Sequence, residues 1–259
     1  MKILACYSNK GGVGKTATAV NLAYQSALNG YRTLLCDLDP QGASGFYLRI
    51  KPPKPKAARE AAAFDDFAWI AGAIRASDYT NLDLLPASAE YRHVDIFLSR
   101  LKNRRSRLKK LLRAAGDDYQ VAILDCPPNV SLLSENVFKA ADRVVVPVIP
   151  TTLSVRTLEQ LYRFFRDQGY QRRKLLPFFS MVQHGKNLHR DTMVALQKEY
   201  KRLLKSYVPF SAEVEKMGIH RAPVAVFAGR DQVAAAYREL WREVEERVKL
   251  DNDKPEDGD

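Results

Sequence analysis

The sequence predicts an α/β protein: one domain with a mostly parallel sheet flanked by helices on both faces. Three observations carry this. Apolar runs of strand length alternate with helical patterns along the chain. The runs are continuously apolar, as strands covered on both faces are. The first run feeds a glycine-rich turn that opens a helix.

Taken in order, "KILACYS" (2–8) is the first strand, not a leader peptide, because it runs straight into the glycines. "KTATAVNLAYQSALNG" (15–30) is a helix with Val20, Leu22, Ala23, Ala27 and Leu28 as its inner face, stopped at Gly30. "YRTLLCDLD" (31–39) is the second strand, and "LDLLP" (82–86), "YQVAILD" (119–125), "RVVVPVIP" (143–150) and "KLLPFFSMV" (174–182) are further short apolar runs. "RIKPPKPKAA" (49–58) is expected to be an exposed loop. Residues 1–250 are expected to form the domain, followed by a disordered acidic tail over 251–259.

Composition narrows the class. With 46% hydrophobic and 27% charged residues the chain reads as an ordinary globular protein. No run of 18 apolar residues predicts a membrane span. Cys6, Cys36 and Cys126 are far apart and form no C-x-x-C, which argues against a zinc site or disulfide framework and fits a cytoplasmic setting. The net charge is +11, and the tail holds five acids and one lysine, leaving about +15 on the rest. A body so basic points to a polyanionic partner, nucleic acid first.

"SNKGGVGKTA" (8–17) falls between strand and helix, where a phosphate-binding loop belongs. Gly11, Gly12 and Gly14 let backbone N–H groups crowd around phosphate oxygens, and the helix N-terminus adds its positive end. Lys15 is placed for the β- and γ-phosphates and Thr16 for Mg²⁺. Asp125, at the tip of "VAILD", stands where such a site needs a carboxylate for Mg²⁺. "CDLDPQG" (36–42) supplies Asp37 and Asp39, which alternate and so should take different roles. The loop departs from G-x-x-x-x-G-K-[ST] at Asn9, and a second lysine, Lys10, precedes the glycines. A second ammonium in one loop would crowd Lys15 unless it served elsewhere.

"KGGVGKT", "DLDPQG", "ILDCPP" and "VVVPV" together resemble the deviant Walker A ATPases of the ParA/MinD class, P-loop NTPases that act as positioning switches. The resemblance runs from residue 1 to about 248; "APV" (222–224) and "AY" (236–237) match family segments, while Phe210 and Ser211 replace its Arg-Asn pair. It implies ATP and Mg²⁺ as ligands, with Gly11, Gly12, Val13, Gly14, Lys15, Thr16, Ala17 and Pro209 contacting nucleotide and Thr16, Asp37 and Asp125 serving the metal. It implies a homodimer formed on ATP binding, in which Lys10 reaches the partner's phosphates. Asp39 would orient the attacking water beside Lys15, with weak basal turnover. It further implies non-specific DNA binding on the nucleoid. A ParB-like or other cargo-adaptor protein would stimulate hydrolysis, and the cargo would be a plasmid, a chromosome or a protein organelle such as a carboxysome or chemoreceptor cluster.

Two basic regions are candidates for DNA. "RLKNRRSRLKKLLR" (100–113) carries eight basic residues over an inner face of Leu101, Leu108, Leu111 and Leu112. The other is spread over Arg202, Lys205, Lys216, Arg221 and Arg230, of which Lys216, Arg221 and Arg230 are assigned to DNA. No base-reading motif is present, so binding should be sequence-independent and salt-dependent. "VAAAYRELWREVEERVKL" (233–250) places Val233, Tyr237, Leu240, Trp241, Val244 and Val248 on one face. A MinD-like protein would lay such a helix on membrane. Here glutamates on the polar side and the acidic tail favour packing on the domain, with no stable membrane insertion. The remaining alternatives are an iron–sulfur carrier, disfavoured by the cysteine spacing, and a small-molecule kinase or ligase with no need of Lys10.

Overall fold

The computed structural model describes residues 1–51, 72–87, 94–100, 104–114 and 118–249. Its strands are β1 (Lys2–Cys6), β2 (Thr33–Asp37), β3 (Arg75–Ala76), β4 (Leu82–Leu85), β5 (Val121–Asp125), β6 (Arg143–Val148), β7 (Leu175–Val182) and β8 (Tyr207–Pro209). They form one sheet in the order β3-β4-β2-β5-β1-β6-β7-β8. Every neighbouring pair is parallel except the β3–β4 edge. The central strands are buried, β2 and β5 throughout and β1 and β6 after their first residue, because helices cover both faces, which is why they read as apolar runs.

The helices are α1 (Lys15–Leu28), α2 (Ala43–Tyr47), α3 (Val94–Ser99), α4 (Arg107–Ala114), α5 (Leu132–Ala140), α6 (Thr152–Asp167), α7 (Asn187–Glu199), α8 (Ala212–His220), α9 (Val224–Phe227) and α10 (Gln232–Val248). On one face Leu98, Leu108, Leu111, Leu112, Leu133, Phe138, Leu158 and Phe165 from α3 to α6 pack on the strands. On the other, α1 and α10 bring Val20, Leu22, Tyr237, Leu240, Trp241 and Val244 onto Leu4, Leu35, Ile123 and Phe178. Each large apolar side chain fully buried this way contributes about 1.5–3 kcal/mol.

Three expectations are corrected. Leu28 is not an inner-face residue: it is 59% exposed, because α1 ends there and Gly30, at φ 88°, turns the chain away. The basic segment becomes α-helical only at Arg107; 104–106 form a turn and Leu101 lies outside the described residues. Glu245 is not on a solvent face. It is 9% exposed and accepts a 2.7 Å hydrogen bond from the Tyr31 hydroxyl. The six apolar residues expected along α10 are buried against the domain. No helix among the described residues is long and apolar enough to cross a membrane. Most of the proline-lysine loop and the whole tail lie outside the described residues.

Candidate nucleotide site

The site follows from strand order. After β2 the chain builds one side of β1, and after β5 it crosses to the other, so the loop leaving β1 opens where the order reverses, between β5 and β6. Gly12 and Gly14 sit at φ 70° and 92°, which only glycine adopts freely. A Cβ on Gly14 would also meet Ser180 Oγ at 3.3 Å. Ser180 lies in the stretch of β7 where the register with β8 shifts, and its hydroxyl donates to the Val13 carbonyl at 3.0 Å. The loop hands over to α1 at Gly14, with no side-chain cap and no acid in the first turn. The N–H groups of that turn and the positive end of the helix dipole therefore face the loop.

Two lysines define the loop's chemistry. Lys15 is buried, and its ammonium donates to the Lys10 carbonyl at 3.0 Å. Burial pulls its pKa down, opposed by Asp125 and Asp39. Lys10 points elsewhere: its Nζ donates to Ser154 Oγ at 3.0 Å, at the start of α6, and Thr151 Oγ1 donates to the same oxygen at 3.2 Å.

The carboxylates meet because β2 and β5 are adjacent and parallel, with Asp37 opposite Asp125 in register. Adjacent strands lie about 4.8 Å apart, and both residues are fully buried. Asp37 Oδ2 accepts from the Ser44 and Gly45 backbone N–H groups at 3.0 and 3.2 Å, and Oδ1 from the Asp39 N–H at 3.3 Å. Ser44 Oγ donates to Asp125 Oδ2 at 2.8 Å. Burial, reinforced by Asp125, raises the Asp37 pKa well above the usual carboxylate value. Burial likewise raises that of Asp125, against the Ser44 and nearby Thr16 hydroxyls. Asp125 Oδ1 is buried with no hydrogen-bond partner. Two carboxylates held against their own repulsion, with an oxygen left over and the Thr16 hydroxyl beside them, fit a divalent cation.

Asp39 stands apart from the buried pair Asp37 and Asp125. It lies past the end of β2, half-buried, with Oδ1 accepting from the Gln41 N–H at 3.0 Å. Pro209, at the end of β8, lines a cavity of about 50 Å³ together with Gly14, Ser180, Phe210 and Tyr237. It thus lies beside the loop despite its distance in sequence, and Ala17 is buried in the first turn of α1. Of the residues assigned to DNA, Lys216 and Arg230 are exposed and Arg221 is half-buried. Lys216 pairs with Glu213 at 2.7 Å. Arg221 Nε donates to the Phe46 carbonyl at 3.0 Å and its guanidinium lies 4.8 Å from the Phe46 ring centre. Ser44, Ser154 and Ser180 were not expected from the sequence; only Ser44, two residues past "DPQG" at the start of a helix, left a signal there. All three cysteines are buried with pKa raised by burial, which opposes their use as thiolate ligands.

Fold and loop together define a P-loop nucleotide-binding protein. Residues 1–176 match a family profile described as an AAA domain. The sporulation initiation inhibitor protein Soj of Bacillus subtilis (strain 168) is 33% identical over 251 residues, covering 94% of this chain and 98% of Soj. The chromosome partitioning protein ParA of Myxococcus xanthus (strain DK1622) is 37% identical over 159 residues, 61% of this chain and 56% of that protein. The chain belongs to the ParA/MinD family of P-loop ATPases. Among solved structures, an ATP complex of a Cyanothece McdA variant superposes with a TM-score of 0.82 at 19% identity, covering 96% of each chain. A cobyrinic acid a,c-diamide synthase from Mycobacterium smegmatis, with bound ATP analog and magnesium, gives 0.79 at 27% identity, also over 96% of each.

Proposed function

We propose that this chain is a ParA-type positioning ATPase. It hydrolyses ATP with Mg²⁺, closes into an ATP-sandwich homodimer, binds nucleoid DNA without sequence preference, and is released by a ParB-like or other cargo-adaptor protein. The observation that carries the reading is the division of labour between the lysines. Lys15 is turned into its own loop, whereas Lys10 is directed out of it and held on Ser154.

The chain's own groups supply the chemistry as follows. The N–H groups of Gly11 to Ala17 receive the phosphates, and Lys15 leaves the Lys10 carbonyl for the β- and γ-oxygens. Pro209 and the small cavity beside Gly14 border the base. Thr16, Asp37 and Asp125 would hold Mg²⁺, which when bound neutralises charge developing between the β- and γ-phosphates. Asp39, outside the buried pair, orients the attacking water. Lys10 leaves Ser154 to stabilise the transition state in the partner's site, as an arginine finger does, which keeps the lone protomer slow.

The test is ATP turnover of Lys10→Ala with and without DNA and adaptor, alongside sedimentation. Stimulated turnover should fall on the order of 10³-fold, the scale of a finger contributed in trans, while the monomer still binds ADP. Full stimulated turnover in Lys10→Ala would sink the proposal. The likeness to the diamide synthase favours one rival, a small-molecule ligase. That rival requires turnover driven by a small carboxylic-acid substrate and indifferent to Lys10.

A further inference from the structure

The last turns of α10 lie at the starting end of the sheet, away from the phosphate loop. Glu243 accepts from the Lys205 and Ser206 N–H groups at 2.9 and 2.8 Å, just before β8. One turn on, the Arg247 carbonyl accepts from Arg143 Nη2 at 2.9 Å, at the first residue of β6. Lys249 then caps the helix at φ 58° and ψ 55°, which turns the chain off the helix axis. Beside this exit, between α6, the 3₁₀ turn Arg172–Lys174 and the segment after α7, is a cleft of about 550 Å³. Its lining holds four cations, Arg172, Arg173, Lys201 and Arg202, and one carboxylate, Glu199, which is hydrogen-bonded to Tyr200. The four cations are exposed, and none forms an ion pair among the described residues. Tyr162 and Tyr200 form the floor, with ring centres 4.9 Å apart. Arg143 joins the cleft to the helix end. Burial pulls its pKa down and Asp142 opposes this, while Arg202, Arg173 and Arg247 add to the fall. The exit of α10 and the cleft therefore share one positive field.

We infer that this cleft is the docking site of the chain's own acidic segment, "DNDKPEDGD" (251–259). Charge and tether select that occupant. The segment carries five acids and one lysine, a net of −4, and it begins two residues after Lys249. Nine extended residues span about 30 Å, enough to run from the last turn of α10 past Arg143 to Arg202. A segment joined by so short a link is present at a millimolar effective concentration. Exposed ion pairs, each weak in water, then suffice to fill the cleft in cis. Docked, the segment answers Arg172, Arg173, Lys201 and Arg202 and keeps other anionic partners out of the cleft. None of this requires the ATP switch proposed above.

The test is paramagnetic relaxation enhancement by NMR on the full chain without nucleotide. Gly258→Cys carries the nitroxide, since the three native thiols are buried. At about 0.05 M salt the amide signals of Arg172, Arg173, Lys201 and Arg202 should lose intensity, and at about 0.5 M salt they should recover, because screening shortens the reach of exposed charges. Signals of Gly11, Gly12 and Gly14, at the other end of the sheet, should keep their intensity throughout. Neutralising the segment with Asp251→Asn/Asp253→Asn/Glu256→Gln/Asp257→Asn should abolish the loss at an unchanged thermal midpoint. Arg172→Gln/Arg202→Gln should abolish it at Arg173 and Lys201. The inference is overturned if the cleft signals keep their intensity at low salt, if surface amides lose it indiscriminately, or if the loss persists at high salt. It is also overturned if the loss remains when nitroxide and isotope sit on different molecules, which would make a second copy the source of the acidic segment. The samples hold neither ATP nor DNA, so full turnover in Lys10→Ala would sink the switch and leave this result untouched.

Discussion

Replacing Asp37 by Asn probes the buried carboxylate pair most directly. In the nucleotide-free fold the Asp37 pKa is raised by burial and by Asp125, its partner in register. A carboxyl whose folded pKa exceeds its unfolded value, about 3.9, binds more protons in the native state than in the unfolded chain. Its contribution is therefore fully present below about pH 4 and is lost as pH rises toward the folded pKa. Within that window each such group gives a slope of about −1.4 kcal/mol per pH unit. Asp37 and Asp125 together should make the nucleotide-free protein less stable from about pH 5 upward. In Asp37→Asn the amide oxygen can still accept from the Ser44 and Gly45 N–H groups. The charge is gone, so about one group's slope disappears, more if Asp125 relaxes as well. The gain accumulated by pH 7 is on the order of 2–4 kcal/mol. The assay is urea denaturation from pH 5 to 7.5, with and without Mg²⁺-ADP. The variant should be more stable without ligand, flatter with pH, and gain less from Mg²⁺-ADP than the unaltered chain. An unchanged pH slope in Asp37→Asn would refute the claim that these carboxylates are held in mutual repulsion to receive a cation.

Other outcomes follow from single contacts. Ser154→Ala removes the hydroxyl that holds Lys10 at 3.0 Å. A neutral-acceptor bond worth about 1 kcal/mol predicts roughly fivefold tighter ATP-dependent dimerisation by sedimentation, and unchanged or weaker association would contradict the parked state. Gly14→Ala meets both a φ of 92° and Ser180 Oγ at 3.3 Å. ADP affinity measured by calorimetry should fall at least about tenfold, since a strained residue costs about 1–3 kcal/mol; near-normal binding would mean the loop relaxes. Tyr31→Phe takes the 2.7 Å donor from buried Glu245, for an expected loss of about 1.5–3 kcal/mol in chemical denaturation. A loss below about 0.5 kcal/mol would show that Glu245 finds water instead.

Much of the molecule is written in local pattern. The apolar runs that became β1, β2, β4, β5, β6 and β7 were visible because strands covered on both faces exclude polar residues. Two edge strands, β3 and β8, are two and three residues long, too short to leave a periodic signal. Glu245 was misplaced for a related reason. Helical spacing puts it among polar residues, and only the packing of α10 against Tyr31 turns it inward. The loop glycines, Lys15, Thr16 and the three aspartates could be assigned chemistry because they sit in the strand-to-helix turn, in the first turn of the helix it opens, or at strand ends, places sequence alone marks. Ser154 and Ser180 could not be. Each lies over 140 residues from the loop group it touches, in an ordinary helix start and an ordinary strand.

The sequence by itself determined that a phosphate loop with two lysines opens the first helix, because glycine tolerance, helix polarity and charge are properties of adjacent residues. Tertiary structure alone decided where the second lysine points, and why Asp37 and Asp125, 88 positions apart, share one buried charge problem: parallel register sets them side by side. It also decided which of many cations are spent on internal partners and which gather in the cleft at Arg172 and Arg202. A sequence counts charges, but only packing tells whether each has already been answered.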